Sequence, residues 1–153
     1  MIAQRSRVWV TGIGLVTPLG SDPEVFFAGL LEGRSGVAAV SSFDTSALPN
    51  HLGCEVGELV VPEGIRDRVL GGRCCELAAI VADQAVRNAG LDERYEGTDE
   101  LAVVVGTTMG DVSRFEHERA AHPNNPADDA DVEALASRPL EVMARTVAGM
   151  YRL

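Results

Sequence analysis

The sequence predicts a layered α/β fold built on parallel strands, and three stretches carry that expectation. Arg7–Thr11 is rich in β-branched and aromatic residues and runs into glycine, which reads as a strand. Arg73–Ala89 repeats Leu77, Ala78, Ile80, Val81, Ala82, Ala85 and Val86 at helical spacing, and Gly90 follows as a C-cap. Leu101–Val105 is continuously apolar between Glu100 and Gly106, the pattern of a strand covered on both faces. With the segments between them, the order is strand, helix, helix, strand, helix, helix. That order implies a parallel strand pair with helices layered on it.

The elements follow in sequence. Gly12–Gly20 is a tight, apolar connection. Ser21 is the expected cap of the first helix, with Glu24 completing a capping box and Pro23 in the first turn. Val25, Phe26, Ala28, Gly29, Leu30 and Leu31 form that helix's apolar stripe, and Gly33 ends it near Glu32. Arg34–Gly36 is a turn. From Val37 to Pro62 the pattern is weak: Ser41–Asp44 and Leu48–Asn50 read as ordered loop, and Leu52–Val61 as extended. Gly106–Asp111 is a glycine-punctuated loop. Val112–Ala121 reads as helix, His122–Ala130 as exposed loop and Val132–Leu135 as a short helix. Leu140–Leu153 is a last helix whose face is Leu140, Val142, Met143, Val147 and Met150. A sheet built from only Arg7–Thr11 and Leu101–Val105 is small, and it leaves apolar edges and faces uncovered.

Bulk properties narrow the function classes. The chain has 153 residues, one domain by length, with 46% apolar and 24% charged residues. Net charge is −10, and every basic residue is arginine. Such a balance repels nucleic acid and anionic lipid. No run of about 18 apolar residues exists to span a membrane, and the start lacks the apolar core of a signal peptide, so a cytoplasmic chain is expected. Cys54, Cys74 and Cys75 fit neither a disulfide framework nor a zinc spacing. No metal and no cofactor is expected.

Motif by motif, the usual chemistries fail. Gly12-Ile13-Gly14 places Thr17 where a dinucleotide fingerprint needs its third glycine, Pro18 interrupts, and no acidic residue closes a second strand. A plain strand-to-helix turn is the simpler reading of that loop. Cys74 and Cys75 lie near a helix start, where the dipole lowers a thiol pKa. They have no histidine or lysine nearby in sequence, and they face different sides of the helix. His51, His117 and His122 show no ligand spacing and read as surface residues. Asp128, Asp129, Asp131 and Glu133 read as a solvated loop.

Four strings, taken together in order, resemble a known family. Val10-Thr11-Gly12-Ile13-Gly14-Leu15-Val16-Thr17-Pro18-Leu19-Gly20 is the first. Leu31–Val37 is similar to L-x-x-G-x-S-G-I after a first helix. Ala78–Leu91, closing in Asn88-Ala89-Gly90-Leu91, is similar to an alanine-rich helix ending D-A-G-L. Val103–Gly110 looks like the strand and loop V-V-x-G-[ST]-x-x-G. The chain resembles the type II β-ketoacyl-acyl carrier protein synthases, condensing enzymes of fatty acid and polyketide synthesis. The resemblance implies a thiolase-like α/β/α fold, of which 1–153 is the N-terminal half, incomplete without a partner half.

In that family a cysteine at a buried helix start takes an acyl group from its carrier. Histidines then assist decarboxylation of malonyl carrier, and the carbanion attacks the acyl thioester. A nucleophile at a helix start with fixed donors around the oxyanion suits that step. The resemblance puts those catalytic residues outside this chain, so none is expected here. It implies that the residue before the loop's last glycine, Met109, lines the acyl pocket, with Thr108 beside it and Val142 on the last helix. Met is flexible enough for a pocket wall, and also ordinary filler beside a strand end.

The family's partner is an acidic acyl carrier protein, docked on a basic patch that this acidic chain is poorly suited to supply. Three functions follow as alternatives. One is a condensing-enzyme component completed by a second polypeptide carrying the cysteine and histidines, with the completed unit a dimer. Another is a non-catalytic structural or chain-length subunit of a ketosynthase complex. The third is an inert truncated fragment.

Overall fold

The computed structural model describes residues 7–91, 101–108, 110 and 141–152. Its longest helix organises the rest. The opening segment lies along one side of that helix, and a second helix runs alongside it from its start towards its last turns.

The chain opens on a tight turn. Thr17 and Gly20 exchange backbone hydrogen bonds of 3.0 Å in each direction. The Thr17 hydroxyl also donates to the Gly20 carbonyl at 2.8 Å. Gly20 sits at φ +137°, a conformation glycine tolerates and other residues rarely adopt. Helix α1 spans Pro23–Leu31. Its cap is Asp22, not the expected Ser21. The Asp22 carboxylate accepts from the amides of Glu24 and Val25 at 2.9 and 3.0 Å. Pro23 is thereby the first helical residue, where its missing N–H costs nothing, and the capping box is not made. The helix ends at Glu32, with Gly33 at φ +69°.

Strands β1, Ala38–Ala39, and β2, Leu52–Gly53, pair antiparallel, with Ala38 opposite Gly53 and Ala39 opposite Leu52. The Asn50 side chain anchors the ribbon by bonding both the amide and the carbonyl of Leu52 at 3.0 Å. Beyond β1, Glu55 fastens the loop. Its carboxylate accepts from the amide and hydroxyl of Ser41 at 2.8 Å each, from the amide of Ser42 at 3.0 Å, and from the Ser42 hydroxyl. These bonds, led by the Ser42 hydroxyl, favour the ionised form and lower the Glu55 pKa from 4.5 to about 2. The folded pKa lies below the unfolded one. The staple therefore contributes fully above about pH 4.5 and is lost as pH falls through about 2. Glu55→Gln should remove that acid-dependent component. The check is amide exchange of residues 40–42 at pH 6 and pH 3, where wild type should loosen and the variant should change less.

A short helix not anticipated from sequence, α2, spans Glu63–Arg66. Helix α3 spans Arg73–Ala89 and matches the expected limits. Gly90 at φ +64° is its left-handed cap. The Gly90 amide reaches the Arg87 carbonyl, and the Leu91 amide the Val86 carbonyl, both at 3.0 Å. An Asp83–Arg87 ion pair of 2.9 Å runs along its last turns.

Residues 141–151 form helix α4. Val142 lies beside Gly71 and Cys75, at the start of α3. Tyr151 senses Asp83 and Arg87 near its end. The two helices therefore run in the same direction. Cys75, Ala79 and Ile80 of α3, Met143, Thr146 and Met150 of α4, and Val61 make the core of the described residues. The predicted α4 face of Val142, Met143, Val147 and Met150 is at least half-buried as expected, and Leu140 and Leu153 lie outside the described residues.

Thr146 was not anticipated as a core residue, yet it is fully buried. Its hydroxyl accepts from the Leu70 amide at 3.2 Å. One residue pair along, the Arg68 guanidinium donates to the Met150 carbonyl and closes the C-terminal end of α4. Thr146→Val should destabilise the fold by about 0.5–1.5 kcal/mol, because it takes the acceptor from the part-buried Leu70 amide. Thr146→Ser should retain most of that, as read from chemical denaturation curves. The Tyr151 hydroxyl is buried with no hydrogen-bond partner among the described residues. Burial first, and the Asp83 charge second, push its pKa up.

The expected parallel strand pair is the main correction. Neither Arg7–Thr11 nor Leu101–Val105 joins a ladder among the described residues. Several of their β-favouring side chains project outward instead: Val8 is 92% exposed, Trp9 75% and Val104 93%, while Val103 and Val105 are half-buried. A strand is stable only with hydrogen-bonding neighbours and a covered face, and no such neighbours occur among the described residues. The expected elements within 112–135 lie outside the described residues.

Candidate functional site

The opening glycine string earns its shape from α3. A Cβ on Gly12 would sit 2.1 Å from the Ala85 carbonyl oxygen, and one on Gly14 2.1 Å from that of Val81. The backbone therefore lies directly on the helix, at a distance no side chain permits. The alanines of α3 are the other half of this fit. Two amides complete it. The Ile13 N–H donates to Asn88 Oδ1 at 3.0 Å, and the Leu15 N–H to Gln84 Oε1 at 2.9 Å. Gln84 Nε2 then donates to the Ser21 carbonyl at 3.1 Å, tying the start of α1 to the same helix. Sequence reasoning missed Gln84 as a tether. The available signal was a pair of amides four residues apart amid small residues on one helix. A Cβ on Gly36 would lie 2.7 Å from the Pro18 ring, so the second string packs on the first.

The other end of α3 gathers the expected pocket residues. Val142 Cγ1 would be 3.2 Å from a Cβ at Gly71, and Cys75 Sγ only 2.6 Å away. Gly71 is thus walled by Val142 and Cys75. From another direction the 106–110 loop reaches the same helical turn. The Cys74 thiol donates to the Gly110 carbonyl at 3.2 Å. The Gly110 amide in turn donates to the Thr107 hydroxyl at 3.1 Å, with Gly110 at φ +64°. Thr108 sits exposed on that turn, and Met109 lies outside the described residues. The structure thus brings Val142 and the turn carrying Thr108 onto one stretch, Gly71–Cys75.

The discounted chemistries can be placed too. Cys75 is 1% exposed and packed, whereas Cys54 is exposed. His51 shares a 3.2 Å contact with the Thr45 hydroxyl, remote in sequence from both α3 cysteines, while His117 and His122 lie outside the described residues. Among the described residues no group of His, Cys, Asp and Glu could hold a metal ion. Nor is any described helix long and apolar enough to cross a membrane.

Comparison with known proteins defines the class. Residues 5–151 match the family described as β-ketoacyl synthase, N-terminal domain, and the chain belongs to that family. A 3-oxoacyl-[acyl-carrier-protein] synthase 2 of Synechocystis sp. (strain ATCC 27184 / PCC 6803 / Kazusa) is 30% identical over 118 residues, covering 76% of this chain and 28% of the relative. A Streptomyces halstedii protein named as a polyketide β-ketoacyl synthase 1 is 33% identical over 114 residues, covering 73% of this chain and 27% of the relative. The chain therefore spans little more than a quarter of these relatives.

Among solved structures, the ishigamide ketosynthase/chain length factor superposes with TM-score 0.63 at 26% identity, covering 90% of this chain and 36% of that one. A β-ketoacyl synthase from Burkholderia phymatum STM815 gives TM-score 0.67 at 22% identity, covering 94% of this chain and 36% of that one, which speaks to fold alone. The architecture is thus the N-terminal portion of a thiolase-like layered fold.

Proposed function

We propose that residues 1–153 form one half of a ketosynthase domain and wall the acyl pocket of a β-ketoacyl-acyl carrier protein synthase. The reaction is decarboxylative Claisen condensation of an acyl thioester with a malonyl thioester. The nucleophilic cysteine and the histidines belong to the complementing half of the fold, and the completed unit dimerises and receives its substrates from acyl carrier protein. This chain is not catalytic by itself. One observation carries the reading: Val142 and the turn bearing Thr108 are both anchored on Gly71–Cys75, which gives the expected pocket residues a common floor. Met109 belongs to that wall by its place in the motif.

The test is to purify the chain natively and identify what elutes with it, then incubate the assembly with radiolabelled acyl carrier protein. Transfer of acyl groups to a cysteine of the complementing half supports the reading. A chain that elutes folded, alone and without any acyl acceptor rejects it.

A second reading has specific support, because one structural neighbour is a ketosynthase/chain length factor. In that reading the chain belongs to a non-catalytic chain-length subunit. No acyl group would then be loaded on its own assembly half, yet Met109→Trp would shorten the products of the associated ketosynthase.

A further inference from the structure

We propose that Cys74 is a positioning residue for the acyl pocket: its thiol holds Gly110, and through it Thr107, against the first turn of α3 and so sets how deep the pocket runs. The proposal rests on the pocket-wall reading above and adds to it a residue that touches no substrate.

The geometry is a short relay. The Cys74 thiol donates to the Gly110 carbonyl at 3.2 Å, linking residues 36 apart in sequence. Gly110 passes the constraint on, since its amide donates to the Thr107 hydroxyl at 3.1 Å. Gly110 stands at φ +64°, in the left-handed region that glycine adopts without strain. Thr107 and Gly110 are therefore linked to α3 through the Cys74 thiol.

The neighbouring cysteine cannot do the same, because Cys75 is buried at 1% exposure beside Gly71, on the side of Val142. The adjacent cysteines thus divide the work. Cys75 fills the core next to Val142, and Cys74 faces the loop. A thiol is a weak donor, and a turn held by a weak donor can shift between positions. That suits a wall that must admit acyl chains of growing length.

The test uses the full chain with three variants. Cys74→Val keeps the shape and removes the donor, Cys74→Ala removes both, and Cys74→Ser keeps a donor. Amide exchange of Gly110 is measured by NMR in the chain together with its complementing half. Cys74→Val and Cys74→Ala should speed exchange about five- to tenfold, and Cys74→Ser should restore it. In condensation assays the same two variants should shift the product-length distribution at unchanged rate of acyl loading, with Cys74→Ser close to wild type.

Unchanged Gly110 exchange in Cys74→Val and Cys74→Ala overturns the proposal. So does faster exchange in Cys74→Ser equal to that of the valine variant, since a mere packing role would produce it. If wild type shows no condensation while exchange follows the donor, the proposed function falls and the positioning of the turn stands. If condensation is robust and exchange is indifferent to the donor, the reverse holds.

Discussion

Acrylamide will quench the fluorescence of Trp9 efficiently in the isolated chain and weakly once the complementing half of the fold is bound. Trp9 is the only tryptophan, so the signal has one source. It is 75% exposed and flanked by Val8 at 92% and Val10 at 82%. Three consecutive large apolar residues in water have no favourable reason to stay there. Covering them recovers about 25 cal/mol per Å² of apolar surface. Val104, at 93% exposure, belongs to the second β-favouring segment and awaits the same cover.

Placing a charge on either segment should therefore block association without unfolding the chain. Val10→Asp and Val104→Asp should each weaken binding of the complementing half on the order of a hundredfold or more, because the carboxylate would be buried unpaired. Helical content measured by circular dichroism should not change, since neither residue contacts the core. Full-strength association by both variants would show that these segments face solvent in the completed fold.

The second large effect concerns Gly12 and Gly14. Gly14→Ala places a methyl group 2.1 Å from the Val81 carbonyl oxygen, and Gly12→Ala one at 2.1 Å from that of Ala85. Both clashes are with backbone, so no side-chain rotation relieves them. The opening segment must lift off α3, giving up the bonds to Gln84 and Asn88 together. A loss of about 3 kcal/mol or more is expected for each, at or above the upper end for overpacked sites. Gly64→Ala is the control. Its Cβ would meet nothing within 4 Å, and it lies in α2, so the change should be neutral or stabilising by about 0.5–1 kcal/mol. Chemical denaturation of the three variants side by side decides the matter.

The parts of this molecule that were legible in the sequence are those governed by local rules. Helix α3 and its Gly90 cap follow from periodicity and from a residue that tolerates positive φ. The loop from Gly106 to Gly110 was visible as spaced glycines, and the α4 face as spaced apolar residues. The misreadings are of another kind. Ser21 and Asp22 are both good capping residues, and which one caps depends on where Pro23 fixes the first helical φ, a choice between neighbours that composition does not make. The strands failed because a strand is completed by its partners: Val8 to Val10 have the right side chains, and their pairing is settled by other segments. Thr146 was invisible for the opposite reason. A threonine on an apolar face reads as an interruption until a backbone amide from Leu70 is found waiting for it. The Gln84 tether is of the same type, a polar side chain whose acceptor role exists only once two distant segments meet.

That tether has a consequence for the order of events during synthesis. The bonds from Leu15 and Ile13 reach residues 69 and 75 positions further on. The nascent opening segment therefore leaves the ribosome long before the helix that will seat it has been translated. At about 5–20 residues per second, the wait is on the order of 4–14 s. Throughout it, Val8, Trp9 and Val10 are exposed on a segment that has nothing yet to seat on, a natural substrate for the chaperones that meet emerging polypeptides.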